Sequence, residues 1–203
     1  MRNACALFNT NITAARQAGS LYDYLTVSVT SPLSFDDLLR SQIVYSVSAF
    51  DKLIHDLVRI GMVEIFTGRR PATAKYLTEA ISLQIHSELA TASFPPKEYI
   101  FEKNIFSKLK IISFQDPEKL AGGLSYIWSE GHKWQKIAGK MGLTDEVART
   151  TLKLIADRRN AVVHEADIDP VTNMKLEITK QECEDISNFL HRCGNEIVNL
   201  VII

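Results

Sequence analysis

The sequence predicts an all-α protein built as an up-and-down helical bundle. Apolar residues recur at every third or fourth position along most of the chain. Glycine and proline are few and fall between these periodic segments, and strand-like alternation is confined to the short stretch MKLEIT. A chain of 203 residues can bury a core without disulfides or metal, so we predict one domain over residues 1–203.

The first clear helix begins at SFDD. Ser34 can cap it, and Asp37 stands where a capping box places an acid. Apolar residues then follow at helical spacing, namely Leu38, Leu39, Ile43, Val44, Val47, Phe50, Leu53, Ile54, Leu57, Val58, Ile65 and Phe66. Gly68 and Pro71 mark its predicted end.

Shorter helices are predicted for the middle of the chain. The candidates are Thr73 to about Ala90, Lys97 to about Ile112, a helix opening at DPEK, and one within SEGHKWQKIAGKMG. In DPEK, Asp116 can serve as the cap with Pro117 in the first turn. We predict that residues from about 69 to 142 form a helical insertion or hairpin extension of the bundle, not a separate domain.

Two longer helices close the chain. The stretch TDEVARTTLKLIADRRNAVVH predicts a helix capped by Thr144, and Pro170 in DIDP prevents its continuation. The last helix opens at TKQE, where Thr179 and Glu182 can form a capping box. Cys193 lies on the apolar stripe of this helix, which favours packing in the core over reactivity.

Composition excludes several kinds of protein. The net charge of −1 does not draw the molecule as a whole to nucleic acid or to an anionic membrane, so such a contact needs a local patch. Three cysteines without a C-x-x-C pair favour a reducing compartment and indicate no metal site. The start of the chain is not a secretory signal, and no apolar run approaches the roughly 18 residues of a membrane span. We expect a cytoplasmic protein without membrane contact, bound metal or cofactor.

The most polar cluster interrupts the apolar stripe near the end of a predicted helix, in DRRNAVVHEAD. Asn160 and His164 are four residues apart and share a helix face. Arg159 and His164 are separated by about 140° around an ideal helix, but a long guanidinium arm can still reach beside the imidazole. Arg158 lies on the other flank. An arginine, an amide and an imidazole can therefore converge near one helix end.

These side chains suit the cleavage of RNA without metal. A guanidinium offers phosphate a fixed fork of donors, an imidazole transfers protons near neutral pH, and an asparagine can orient either partner. Attack of a 2′-hydroxyl on its own phosphodiester needs a base and an acid, whereas the cluster holds one histidine. Two copies of the helix that meet across a twofold axis would supply both, from His164 and its mate.

The segment RNAVVH resembles the R-x4-6-H motif of the HEPN superfamily, whose commonest form is R-N-x-x-x-H late in an α-helical bundle. The stretch SAFDKLIHDLV resembles the first long helix of that family, where an aromatic residue and an acid, here Phe50 and Asp51, lie in an apolar stripe. The resemblance is to subfamilies of the RiboL-PSP type. It covers roughly Asp37–Phe66 and Thr144–Val201, and it leaves Arg69 to Gly142 unassigned.

This resemblance implies a bundle of HEPN type that acts as a metal-independent endoribonuclease, with a site composed across a homodimer. Arg159 and His164 would be catalytic, Asn160 their polar neighbour, and Asp51 a supporting acid that orients Arg159 or His164. Such proteins occur in toxin–antitoxin pairs, phage defence and RNA processing. The partners it implies are an RNA substrate, a second copy of the chain, and an antitoxin or defence-system protein.

Other interpretations stay open. The chain can be a noncatalytic HEPN-like dimer that scaffolds or regulates a partner, or an unrelated helical bundle. The polar cluster can be a basic helix end that complements the macrodipole, with His164 in the cap. Asp51 and His55, four residues apart, can be a surface pair or part of a site.

Basic residues elsewhere offer candidate RNA contacts. Lys133, Lys136 and Lys140 line one side of a predicted helix, and Arg158 adds charge beside the motif. A solvated face is the usual explanation for such a run of lysines. If RNA binds, these four side chains are the predicted phosphate contacts.

Overall fold

Nine α-helices account for nearly all the regular structure of residues 1–202, which the computed structural model describes. They are α1 (Arg2–Ser28), α2 (Asp36–Phe66), α3 (Ala74–Leu77), α4 (Leu83–Thr91), α5 (Lys97–Leu109), α6 (Pro117–Leu124), α7 (Lys133–Lys140), α8 (Asp145–His164) and α9 (Lys180–Val201). Within these residues the only β-type pairing is an isolated antiparallel bridge between Ile168 and Lys175, and Lys175 belongs to the MKLEIT stretch. The predicted all-α fold is confirmed.

The helix α2 occupies the centre of the bundle. It packs against α1, α9, α8, α5 and α6, because apolar residues cover more than one of its faces. Leu39, Ile43, Leu53 and Leu57 along it are almost completely buried. Half-buried polar side chains of α2, such as Asp51 and His55, lie where neighbouring helices meet it, which is the setting of the candidate site.

The helix α1 was not predicted, because Asn9, Thr10 and Asn11 interrupt its apolar run. The structure shows that these polar residues fit a helix: the Thr10 hydroxyl donates to the carbonyl of Ala6 in the preceding turn. The buried face of α1, formed by Ala4, Phe8, Ile12, Ala15 and Gly19, packs against α2 and α9. Apolar residues do recur at helical spacing in this segment, but only five residues of the 27-residue helix are buried.

Most of the predicted caps are confirmed. Side-chain oxygens at the predicted N-caps accept hydrogen bonds from the first turns of their helices, as seen for Asp116, Thr144 and Thr179. The prediction for Ser34 was wrong. The helix α2 begins at Asp36 after Phe35, which offers no side-chain acceptor, and the Ser34 hydroxyl accepts from the Asp36 amide in the preceding turn.

The middle of the chain is more broken than predicted. Residues from Thr73 to Ala90 do not form one helix but divide into α3 and α4, because Ser82 caps a new helix by accepting from the Ile85 amide. The buried cluster that centres on α2 nevertheless includes side chains from this part of the chain, namely Phe101, Ile105, Phe114, Leu120, Leu124, Trp134 and Ile137. The division into a bundle and an insertion stays a prediction.

Two of the three cysteines are inaccessible. Cys183 and Cys193 are buried on α9, and burial raises the pKa of each thiol to about 12. A thiol with so high a pKa is a poor nucleophile, so both residues serve packing, as predicted for Cys193. None of the helices in the described part of the chain is long and apolar enough to cross a membrane.

Candidate functional site

The helix α8 carries Arg159 on the face that packs against α2. Leu152, Ile155 and Ala156 are buried along this face, and Arg159 follows Ile155 by four residues. A cation in line with a buried apolar stripe is unusual unless it meets an anion or a cavity. Here it meets a cavity.

The cavity lies between α2, α8 and the end of α5, with a volume of about 290 Å³. Its lining combines both signs of charge with a few apolar groups. The lining residues are Ser48, Asp51, Lys52, His55, Asp56 and Arg59 from α2, Phe106 and Leu109 from α5, Lys110 and Gln115 from the segment after α5, and Arg159 from α8. The structure therefore brings together Arg159 and Asp51, which were predicted from separate parts of the sequence.

The guanidinium of Arg159 has no anionic partner within residues 1–202. Its Nη1 donates to the Asn160 side-chain oxygen at 3.1 Å, and its Nε is buried without a hydrogen-bond partner. Leaving a buried charged donor unpaired costs free energy, and the same donor binds an anion strongly when one arrives. Arg159 is therefore suited to hold a phosphate oxygen in the cavity.

The carboxylate of Asp51 contacts groups other than those predicted. One oxygen accepts from the Phe114 amide at 2.6 Å, and the other lies 3.5 Å from Nε2 of His55. No hydrogen bond within the described residues joins Asp51 to Arg159 or His164, the two residues that it was expected to orient. The side chain that lies beside the second oxygen of Asp51 is that of His55.

Phe114 holds this pair in place from the segment between α5 and α6. Its amide bonds Asp51, and its buried ring packs edge-on against the imidazole of His55, with 4.6 Å between ring centroids. The acid and the imidazole are thus positioned by one residue, which belongs to the part of the chain that the resemblance left unassigned.

His164 and Asn160 lie at the exposed side of α8. His164 is the last residue of the helix, is exposed, and has no hydrogen-bond partner in the described part of the chain. It does not line the cavity, in keeping with its angular separation from Arg159 around the helix. Asn160 is also exposed, and its bond to Arg159 links the two sides of the motif.

A family model described as RiboL-PSP-HEPN matches residues 10–202. The chain belongs to this family. Comparison with curated proteins gives no match, and neither does comparison with solved structures. HEPN domains are generally ribonucleases or nucleotide-binding modules, and they commonly dimerise and bind RNA.

The end of α8 in this HEPN chain is held by a buried carboxylate. Asp167 is fully buried and accepts from Nε of Arg40 at 2.6 Å and from Nη1 of Arg158. The two arginines also donate to the backbone carbonyls of Leu176 and Glu177. Arg158 therefore anchors the turn after His164, and the RNA contact predicted for it would compete with these bonds.

The predicted lysine contacts lie away from the HEPN motif. Lys133 is buried, its ammonium donates to the Glu130 carbonyl, and burial lowers its pKa. Lys136 and Lys140 are exposed on α7. None of the three lines the cavity that holds Arg159. A role in RNA binding stays a prediction for these lysines and for Arg158.

His55 is the site residue that sequence reasoning undervalued. The sequence left open whether the pair of Asp51 and His55 lies on the surface or belongs to a site, and only 23% of the His55 side chain is exposed. One signal could have found it: residues 51 and 55 fall on the same helix face as Val58 and Met62, which are buried. A pair on that face points into the protein, whereas a surface pair points to solvent.

Gly123 offers a test of how firmly Phe114 supports the HEPN site. A Cβ at Gly123 would lie 2.3 Å from the Phe114 ring, so Gly123→Ala must displace that ring. We expect the free energy of unfolding in urea to fall by about 1–3 kcal/mol, the usual cost of overpacking. Gly122→Ala is the matched control, because its Cβ would meet only the Lys75 ammonium at 3.6 Å and alanine favours a helix. Equal stability of the two variants would contradict the close packing of the Phe114 ring on Gly123.

Proposed function

We propose that this HEPN protein is a metal-independent endoribonuclease that cleaves RNA by attack of the 2′-hydroxyl, with a composite site at a homodimer interface. One observation carries the proposal: the motif arginine, Arg159, faces a cavity and has no carboxylate partner in the described residues, whereas its neighbour Arg158 pairs with Asp167. A guanidinium in this state matches the nonbridging oxygens of a phosphodiester, which gain charge in the transition state.

The reaction moves two protons. The 2′-oxygen bonds to phosphorus as the bond from phosphorus to the 5′-oxygen breaks, which leaves a cyclic phosphate and a 5′-hydroxyl. One group takes the proton of the 2′-hydroxyl and another gives a proton to the departing 5′-oxygen. His164 serves as one of them, Arg159 stabilises the phosphate, Asn160 orients Arg159, and Asp51 supports the site.

Two features of α8 support a dimeric site. His164 is exposed and free of contacts within the described chain, so it is open to a residue or substrate held by a second copy. Val147 and Leu154, seven residues apart, expose apolar side chains on α8, and a helix from a second copy could cover them. A twofold axis near this face would bring two copies of the motif together.

A noncatalytic dimer is the second candidate function. The position of His164 outside the lining of the cavity favours it, since one chain does not place the two motif residues around a common phosphate. In that case the module would scaffold or regulate a partner.

For the enzyme, we propose a cytoplasmic role in a toxin–antitoxin, phage-defence or RNA-processing system, with an antitoxin or defence protein as partner.

The test is cleavage of an unstructured RNA in EDTA by the wild type and by His164→Ala. We expect the wild type to cut and to leave a cyclic phosphate end, and His164→Ala to be slower by about 100-fold or more, the usual loss with one general acid or base. His86→Ala is the control, because His86 is exposed on α4 and does not line the cavity. Absence of cleavage by the wild type, or equal cleavage rates for the wild type and His164→Ala, would refute the proposed ribonuclease activity.

Mixing two inactive variants tests the composite site. In a heterodimer of Arg159→Ala and His164→Ala, one site is intact if the arginine and histidine that act together come from different chains. We expect activity to return on mixing. If both sites were formed within single chains, or if one site needed both copies of His164, the mixture would remain as inactive as its components.

A further inference from the structure

A second histidine lies beside Arg159 within one chain. We infer that His55 is the general base that takes the proton from the attacking 2′-hydroxyl, so that each site needs one His164 as the acid and not two. This inference rests on the proposed ribonuclease function. The role of base, predicted from the sequence for His164 of the second copy, passes to a residue of α2 that lines the same cavity as Arg159.

The imidazole of His55 is held as a base needs to be held. Nε2 lies 3.5 Å from the Asp51 carboxylate, and the ring rests against the edge of Phe114. A carboxylate at this distance favours a ring proton on Nε2, and it would stabilise the imidazolium formed if the other nitrogen accepted a proton. That nitrogen, Nδ1, has no hydrogen-bond partner in residues 1–202, so it is the atom left to receive the proton of a substrate.

The charges around His55 also favour a phosphate in the cavity. Asp56 pairs with Lys52 at 2.9 Å and with Arg59 at 3.2 Å, which satisfies that carboxylate. Arg159 and Lys110 remain as cations without a carboxylate partner in the described chain, and both line the cavity. A phosphodiester bound by these two cations would lie in the same cavity as the imidazole.

The step balances without any other reactant. The 2′-hydroxyl proton passes to Nδ1 of His55 as the bond from the 2′-oxygen to phosphorus forms. The bond from phosphorus to the 5′-oxygen breaks, and His164 gives its proton to that oxygen. His55 ends protonated and His164 neutral, and exchange with water restores both.

The experiment compares two substrates that differ in their leaving group. One is an RNA dinucleotide, and the other is uridine 3′-(4-nitrophenyl phosphate), whose leaving group needs no proton. We expect His55→Gln to lower kcat/KM about 100-fold on both substrates, since both need the base. We expect His164→Ala to lose activity on the dinucleotide and to recover most of it on the nitrophenyl ester. His86→Ala should match the wild type on both.

Two further measurements separate a base from a structural residue. The acidic limb of the pH profile of kcat/KM should vanish in His55→Gln, and added imidazole should restore part of the activity of His55→Ala. Thermal unfolding of each variant checks the fold. If His55→Gln does not fold, Asp51→Asn takes its place. That variant keeps the imidazole and should lower kcat/KM on both substrates.

Three results would overturn the inference. His55→Gln could cleave both substrates at the wild-type rate, which refutes the inference but leaves the ribonuclease intact. The nitrophenyl ester could rescue His55→Gln and not His164→Ala, which would reverse the two roles. A wild type that cleaves neither substrate would refute the proposed function, and the role of His55 with it.

Discussion

Replacement of Asp167 by alanine is expected to lower the free energy of unfolding by about 3–5 kcal/mol, the cost of removing one partner from a buried ionic network. The Asp167 side chain is fully buried, and the side chains of Arg40 and Arg158, from which it accepts hydrogen bonds, are 8% and 15% exposed. Without the carboxylate, Arg40 and Arg158 lose their shortest ion pairs and keep only the longer ones, to Asp37 at 3.3 Å and to Glu182 at 3.5 Å. Urea unfolding followed by circular dichroism measures the loss.

Two variants sharpen this prediction. Asp167→Asn keeps an acceptor oxygen and tolerates the left-handed backbone at φ 57, so it should lose less stability than Asp167→Ala. Asp157→Ala removes an exposed acid one residue before Arg158 and should leave stability unchanged. An Asp167→Ala protein as stable as Asp157→Ala would show that the network contributes nothing.

Replacement of Arg159 by methionine is expected to slow RNA cleavage by about 10²–10³-fold, as when one preorganised donor to a developing charge is lost. The free energy of unfolding should stay the same or rise, because methionine keeps the apolar stem and removes a buried Nε that has no partner. Loss of activity with retained stability is the mark of a residue kept for function. Initial cleavage rates and urea unfolding on the same preparation check both parts.

The neighbouring arginine provides the control. Arg158→Met breaks the bonds to Asp167 and to the Glu177 carbonyl, so we expect a marked loss of stability from this variant. Arg192→Ala, at an exposed position of α9, should change neither quantity. If Arg159→Met lost stability as Arg158→Met does, Arg159 would be structural and the proposed phosphate contact would be wrong.

The contrast between these two arginines shows where sequence reasoning stops. Arg158 and Arg159 are adjacent and chemically identical, and the resemblance alone selected Arg159 as catalytic. A rotation of 100° around α8 separates an arginine that neutralises Asp167 from one that faces the cavity. The position of Asp167 decides this, and its burial depends on Arg40, which is 127 residues distant in the sequence.

The helices themselves were more accessible to prediction. The apolar spacing of α2 and the caps at Thr144 and Thr179 are local signals, and they located three of the long helices. The helix α1 was not predicted from the sequence, because its exposed face is rich in asparagine and threonine. The cavity could not be predicted, since Phe114, which supports Asp51 and His55, comes from a loop whose position is set by tertiary packing against Gly123.

The anchoring of α8 by Asp167 has a consequence for the order of events when the chain folds. The hydrogen bonds of the segment RNAVVH are local to α8, although so short a segment is not a stable helix alone. The turn that follows it forms only when Arg40 near the start of α2 meets the chain around residues 167–177, and such distant contacts are closed late. A half-folded chain would therefore contain the whole motif before the turn that holds the end of α8 is in place.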